Sequence, residues 1–191
     1  MSQEPPDQLA LSGQGFNVAI VAARYNGSLV EPLLERVRQV LLEAGVLAPD
    51  LEVIRVPGSS EAPYACGMLA DTKAYDVIIA LGVVVAGSTS HHEIIGQSTA
   101  FILQQMAFDT AVPIINGILV VDSHEQAQER ITGSLDRGRE FARAALEMAG
   151  VKVDLQARLD DREPEPSALS HGEGWEDFLD DDDDDEEPWK S

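Results

Sequence analysis

From Val77 to Val85 the sequence runs VIIALGVVV, without one polar side chain. A half-buried strand alternates apolar and polar residues, so a run without alternation fits a strand covered on both faces, as in parallel sheets. Three more segments have this β-branched character: FNVAIVAARYN (Phe16 to Asn26), LEVIRV (Leu51 to Val56) and VPIINGILVV (Val112 to Val121). Segments of helical spacing separate them. After Ser28, which reads as an N-cap, LVEPLLERVRQVLLEAG places Leu29, Leu33, Leu34, Val37, Leu41 and Leu42 at helical intervals and closes on Gly45. EAPYACGMLADT, HHEIIGQSTAFILQQMAFDT and a stretch from Ser123 to Gly150, split at Gly133 and Gly138, supply the other helices. Strands alternating with helices predict parallel βαβ units and a four-stranded, doubly wound sheet.

Such sheets bind ligands outside the carboxyl ends of their strands. Three turns of unusual composition fall there: Arg24-Tyr25-Asn26, Pro57-Gly58-Ser59-Ser60-Glu61 and Gly87-Ser88-Thr89-Ser90-His91. The third combines backbone amides, hydroxyls and the start of a helix, which suits a phosphate group and equally suits an ordinary N-cap. It is neither a Walker loop nor a dinucleotide fingerprint. His91 reads as a proton-transfer group or as a surface histidine, while His92, about 100° further around a helix, points elsewhere. Tyr25 offers a ring for stacking or closes an apolar edge. Glu61 is an acceptor for a polyol or a favourable charge at the start of its own helix. Arg130 pairs with a phosphate or lies in solvent. The two histidines have no partner at metal-ligand spacing, so no metal is expected.

The chain has 191 residues, enough for one α/β domain and an appendage. Its formal charge of -21 is concentrated: residues 154–191 hold 16 acids against 3 bases, leaving 18 acids and 10 bases in residues 1–153. The expected organisation is an N-terminal arm (1–15), a domain (16–153) and an acidic, disordered tail (154–191). Trp175, Phe178, Leu179 and Trp189 in that tail read as a docking segment or as part of the solvated disorder. No Lys/Arg cluster suits nucleic acid or an anionic membrane. No apolar run approaches the ~20 residues of a membrane span. A single Cys66 and the absence of a signal-like start point to a cytoplasmic protein.

Taken in order, FNVAIVAARYN, VPGSSEAP, YDVIIALGVVVAGSTSHHE, GILVVDSHEQAQER and AALEMAG resemble the lumazine synthase family over roughly residues 13 to 150. The resemblance implies a flavodoxin-like three-layer α/β/α sandwich whose N-terminal arm adds a strand to a neighbouring subunit. It implies a transferase of riboflavin biosynthesis, working without cofactor, that condenses 5-amino-6-ribitylamino-uracil with 3,4-dihydroxy-2-butanone 4-phosphate to 6,7-dimethyl-8-ribityllumazine, releasing phosphate and water. By motif, Ser88 and Thr89 hold the phosphate, Arg130 from a neighbouring subunit supplies its countercharge, and His91 transfers protons. Tyr25 and Asn26, Ser59, Ser60 and Glu61, and Val83, Val84 and Val85 hold the pyrimidine and ribityl groups. Asn116 stands where an adjacent subunit usually contributes a Phe.

Further departures are Ser60 in place of an aromatic, Ala86 in place of an Arg, VVDS (Val120 to Ser123), and ITGSLDRG in place of a lysine-containing loop. They bear on affinity and assembly size more than on reaction type, and they motivate an alternative: a weak homologue acting as a flavin- or pteridine-binding or shell-forming scaffold. The resemblance implies a homo-oligomer, a pentamer or a sixty-subunit shell built of pentamers, with active sites between subunits. Riboflavin synthase, or a basic cargo drawn by the tail, is the expected further partner.

Overall fold

In the computed structural model, which describes residues 11–161, the four apolar runs lie side by side as β1 (Val18–Ala23), β2 (Leu51–Val56), β3 (Val77–Val85) and β4 (Ile114–Val121). They form one parallel sheet in the order β2-β1-β3-β4. Five α-helices cover it: α1 (Gly27–Glu43), α2 (Ala62–Asp71), α3 (His91–Thr110), α4 (His124–Ile131) and α5 (Arg137–Asp160). This is the flavodoxin-like α/β sandwich that the sequence led us to expect.

All six residues of β1 are buried, which is why the strand can be apolar throughout. Successive side chains point to opposite faces. Val18, Ile20 and Ala22 join the cluster under α1, α4 and α5, with Leu33, Val37, Leu41 and Leu146 among its members. Ala19 and Val21 join the other cluster, with Cys66, Ala70 and Leu103 of α2 and α3. Each buried Leu, Ile or Val removes enough apolar surface from water to contribute about 1.5–3 kcal/mol.

The helix ends show how local sequence was read by the fold. Gly45, with φ of 100°, stops α1 in a conformation that favours glycine. The N-cap of α1 is Asn26 rather than Ser28. Asn26 adopts the left-handed region (φ 56°, ψ 40°), which Asn tolerates better than most residues, and its backbone carbonyl accepts from Leu29 and Val30. Ser123 caps α4, accepting from the Gln126 amide at 3.2 Å. Of the two glycines expected to split the last helical stretch, Gly133 lies in the break and Gly138 falls inside α5.

α5 also runs through Gly150 and Val153 to Asp160, so the segment expected to be a disordered tail from residue 154 begins as helix. Helix-favouring Leu, Gln, Ala and Arg carry it on past the end of the domain core. Lys152 anchors it, donating to the Tyr75 carbonyl at 2.9 Å beside Asp76. Residues 162–191, with the tail's aromatic residues, lie outside the described residues. So do residues 1–10, where most of the expected exchanged arm falls. Leu11, Gly13 and Phe16 pack on their own domain, with the Gly13 amide donating to Ala44.

Two contacts in this framework give tests. Asp136 caps α5 by accepting from the Arg139 amide, and it receives the Arg36 guanidinium at 2.5 Å. The Arg36 hydrogen bond holds the Asp136 carboxyl below its ordinary value. A depressed folded value means the stabilisation is present above the unfolded carboxylate value and is lost as pH falls through the folded one. Asp136→Asn keeps a cap oxygen and tolerates the left-handed backbone, so it removes the charge alone. It should lower unfolding free energy by about 1 kcal/mol at neutral pH, and urea melts should show the gap to wild type closing below about pH 4.

The second test concerns Gly82, in β3. A Cβ there would collide with Ser59 Oγ and lie 3.2 Å from Ser59 Cβ. Gly82→Ala should destabilise by about 1–3 kcal/mol, and adding Ser59→Gly should recover much of that loss in the same melts.

Candidate active site

The order β2-β1-β3-β4 reverses between β1 and β3, and a crevice forms beyond their carboxyl ends. The β1–β3 pairing ends at Ala22 and Leu81, while β3 continues to Val85 against β4 alone. A step is left in the sheet. Asn26 fills it: its side-chain Nδ2 donates to the Val83 carbonyl at 2.8 Å, taking the place of a strand neighbour. The chain after β1 is sewn to the chain after β2 as well, because the Arg24 amide donates to Val56 at 2.8 Å and the Tyr25 amide to Pro57 at 2.9 Å.

These ties produce a cleft of about 380 Å³. Tyr25 and Asn26 form one side, and Gly58, Ser59 and Ser60 the next. Val83, Val84 and Val85 make the floor, and Gly87, Thr89, His91, His92 and Ile95 close the far side. The volume suits a small organic ligand. The Tyr25 side chain is 75% exposed, so its ring does not close an apolar edge and is open to stacking. Ser59 is buried, whereas Ser60 is exposed at the rim. Glu61 borders the cleft without walling it: it is the N-cap of α2, and its carboxylate lies over Gly58.

The loop Gly87–Ser90 meets the cleft at the start of α3, where the helix presents free amides and its positive end. Ser90 caps α3 with no side-chain hydrogen bond, so the loop's hydroxyls are not consumed as a helix cap among the described residues. Gly87 and Thr89 face the cleft, and Ser88 lies between them on the same loop outside the wall. His91 begins α3, exposed and on the wall. His92 was expected to point away, and it does not. Ile95 is about 40° from His91 and about 60° from His92 around a helix, and the cleft wall spans that whole face. His92 differs in being engaged, its Nδ1 lying 3.1 Å from the Thr89 carbonyl.

Two residues read from the sequence lie away from this cleft in their own chain. Arg130, half-buried in the last turn of α4, donates from Nη1 to the Gln126 carbonyl at 3.5 Å. Asn116 is exposed on β4 opposite Ala80, lower in the sheet than the cleft. Gly58 and Gly87, which also line the cleft, belong to two of the turns marked in the sequence without being read there as site residues, and His92 was set aside. Ile95 alone was missed, and its spacing of one helical turn from His91 was the signal for it. Cys66 is buried under the sheet, and burial pushes its thiol up to about 12, so it is no nucleophile. Among the described residues no three His, Cys, Asp or Glu side chains gather as a metal site needs.

The sequence model of the 6,7-dimethyl-8-ribityllumazine synthase family matches residues 15–152. A 6,7-dimethyl-8-ribityllumazine synthase from Bordetella petrii is 37% identical over 151 residues, covering 79% of this chain and 85% of the relative. A relative of that name from Cupriavidus pinatubonensis is 38% identical over 150 residues, 78% of this chain and 88% of its own length. A third, from Paracidovorax citrulli, is 37% identical over 145 residues, 76% and 92% of the two chains. With the doubly wound sheet and the crevice at its reversal point in place, a match across essentially the whole described domain means that this chain belongs to the 6,7-dimethyl-8-ribityllumazine synthase family.

Proposed function

We propose that this protein makes 6,7-dimethyl-8-ribityllumazine for riboflavin biosynthesis, condensing 5-amino-6-ribitylamino-uracil with 3,4-dihydroxy-2-butanone 4-phosphate. The observation that carries the reading is that one cleft gathers an open aromatic ring, hydroxyl and amide donors, a helix start and an exposed imidazole. In it Tyr25 stacks on the pyrimidine, and the strand end Val83–Val85 meets the pyrimidine edge. Asn26 sets that strand end in place by holding the Val83 carbonyl. Ser59, Ser60 and Glu61 receive the ribityl hydroxyls. The hydroxyls of Ser88 and Thr89, with the backbone amides of the Gly87–Ser90 loop, hold the phosphate at the positive end of α3.

The reaction then needs little beyond position and protons. The amine attacks the ketone and water leaves to give an imine, phosphate is eliminated, and the ribityl-bearing amine closes the ring on the remaining carbonyl with loss of a second water. Holding two reactants side by side removes much of the entropic barrier. His91 moves the protons that each step requires.

A phosphate dianion also calls for a cation, and Arg130 lies outside its own chain's cleft. In this reading Arg130 and Asn116 complete the cleft of a neighbouring subunit. The exposed apolar side chains on α2 and α3, Tyr64, Met68, Ile94, Phe101 and Phe108, support burial against other copies. The assembly is a pentamer, free or built into a sixty-subunit shell, which sedimentation and negative-stain imaging distinguish. A stable monomer would overturn it. The catalytic domain is residues 16–153, flanked by the arm 1–15 and the acidic segment 154–191.

Purified protein mixed with both substrates should generate lumazine fluorescence faster than the spontaneous condensation, and equal rates would reject the enzyme reading. His91→Ala should lower kcat by about 10²- to 10⁴-fold. Arg130→Ala should act mainly on KM for the phosphorylated substrate, raising it by about tenfold or more. Initial rates over a matrix of both substrate concentrations separate the two effects.

A further inference from the structure

We infer that His92 is a positioning residue for the anion loop: by donating from Nδ1 to the Thr89 carbonyl, it sets the direction in which that loop presents its amides to phosphate. The inference rests on the function proposed above. A carbonyl oxygen only accepts, so at 3.1 Å the Nδ1 of His92 must carry the proton. The peptide between Thr89 and Ser90 is planar and trans, so its C=O and N–H point in opposite directions. One hydrogen bond therefore orients both the Thr89 carbonyl and the Ser90 amide.

The loop has few other restraints. It is held at one end by the Ala86 amide on the Val121 carbonyl at 2.8 Å, and at the other by the Ser90 carbonyl, which accepts from Glu93 and Ile94. Between those anchors the residues are exposed, a Cβ on Gly87 would meet nothing within 4 Å, and Ser90 makes no side-chain cap. Among the described residues the His92 bond is the one side-chain tie on this stretch. The two histidines thereby divide their work. His92 is packed, its side chain 16% exposed, with one nitrogen engaged and the other 4.0 Å from Glu93 Oε1. His91 is exposed, and among the described residues neither of its nitrogens is hydrogen-bonded.

The test uses the assembled full-length protein and three variants. His92→Phe keeps a ring without the donor, His92→Leu replaces it should the larger ring disturb folding, and His92→Asn supplies an N–H of similar reach. Thermal melts establish that each is folded. His92→Phe should raise KM for the butanone phosphate about tenfold with kcat changed less than about twofold, the scale of one lost hydrogen bond to the loop. His92→Asn should bring KM back toward wild type. Wild-type KM in His92→Phe and His92→Leu, a fall in kcat at constant KM, or failure of His92→Asn to rescue would each overturn the inference.

Absence of turnover in the wild type would instead reject the proposed function. The loop is then judged by titration with inorganic phosphate, followed by NMR of the Gly87–Ser90 amides. Weaker binding in His92→Phe than in wild type and His92→Asn sustains the positioning role. Equal binding, or no binding to any of them, ends it.

Discussion

β1 is closed to water along its whole length, and the cleft exists because of how its neighbours register against it. Val56 pairs with Ala23, and Leu81 with Ala22, so the chain leaves β1 and β2 at one level while β3 continues upward. Apolar residues on both faces hold that register, since a slip of one residue would turn each buried side chain of β1 to the wrong cluster. The turns that carry polar chemistry are thus fixed by a strand that has none.

The step where β3 outruns β1 would leave the Val83 carbonyl without a strand neighbour, at a cost typical of an unsatisfied buried acceptor. Asn26 meets this need with its amide and at the same time turns the backbone into α1 through a left-handed conformation. Tyr25 is carried to the cleft edge by the same turn. A stabilising contact and the shape of the cleft are here set by the same bond, and the packing of Ser59 over Gly82 is a second case.

Much of the fold was legible because burial leaves a pattern. The lack of alternation in Val77–Val85 announced a strand covered on both sides, and Gly45 marked the end of α1. The errors came where a residue's role depends on something distant in sequence. Ser28 looked like the better cap, yet the carbonyl of Val83, far along the chain, recruits Asn26. His92 looked turned away because a helical wheel has no knowledge of how broad the facing cleft is. The continuation of α5 past Gly150 reflects Lys152 reaching Tyr75 and Asp76 at the foot of β3.

What the sequence determined by itself was the parallel α/β architecture and the set of loops that meet at one rim, because apolar periodicity and turn chemistry are local properties of the chain. What the tertiary structure alone decided was which atoms in those loops face one another: Asn26 on Val83, Ser59 over Gly82, His92 on Thr89, and Arg130 and Asn116 away from their own chain's cleft. Hydrogen bonds and close contacts act over about 3 Å, and only the folded sheet brings such separated residues to that range.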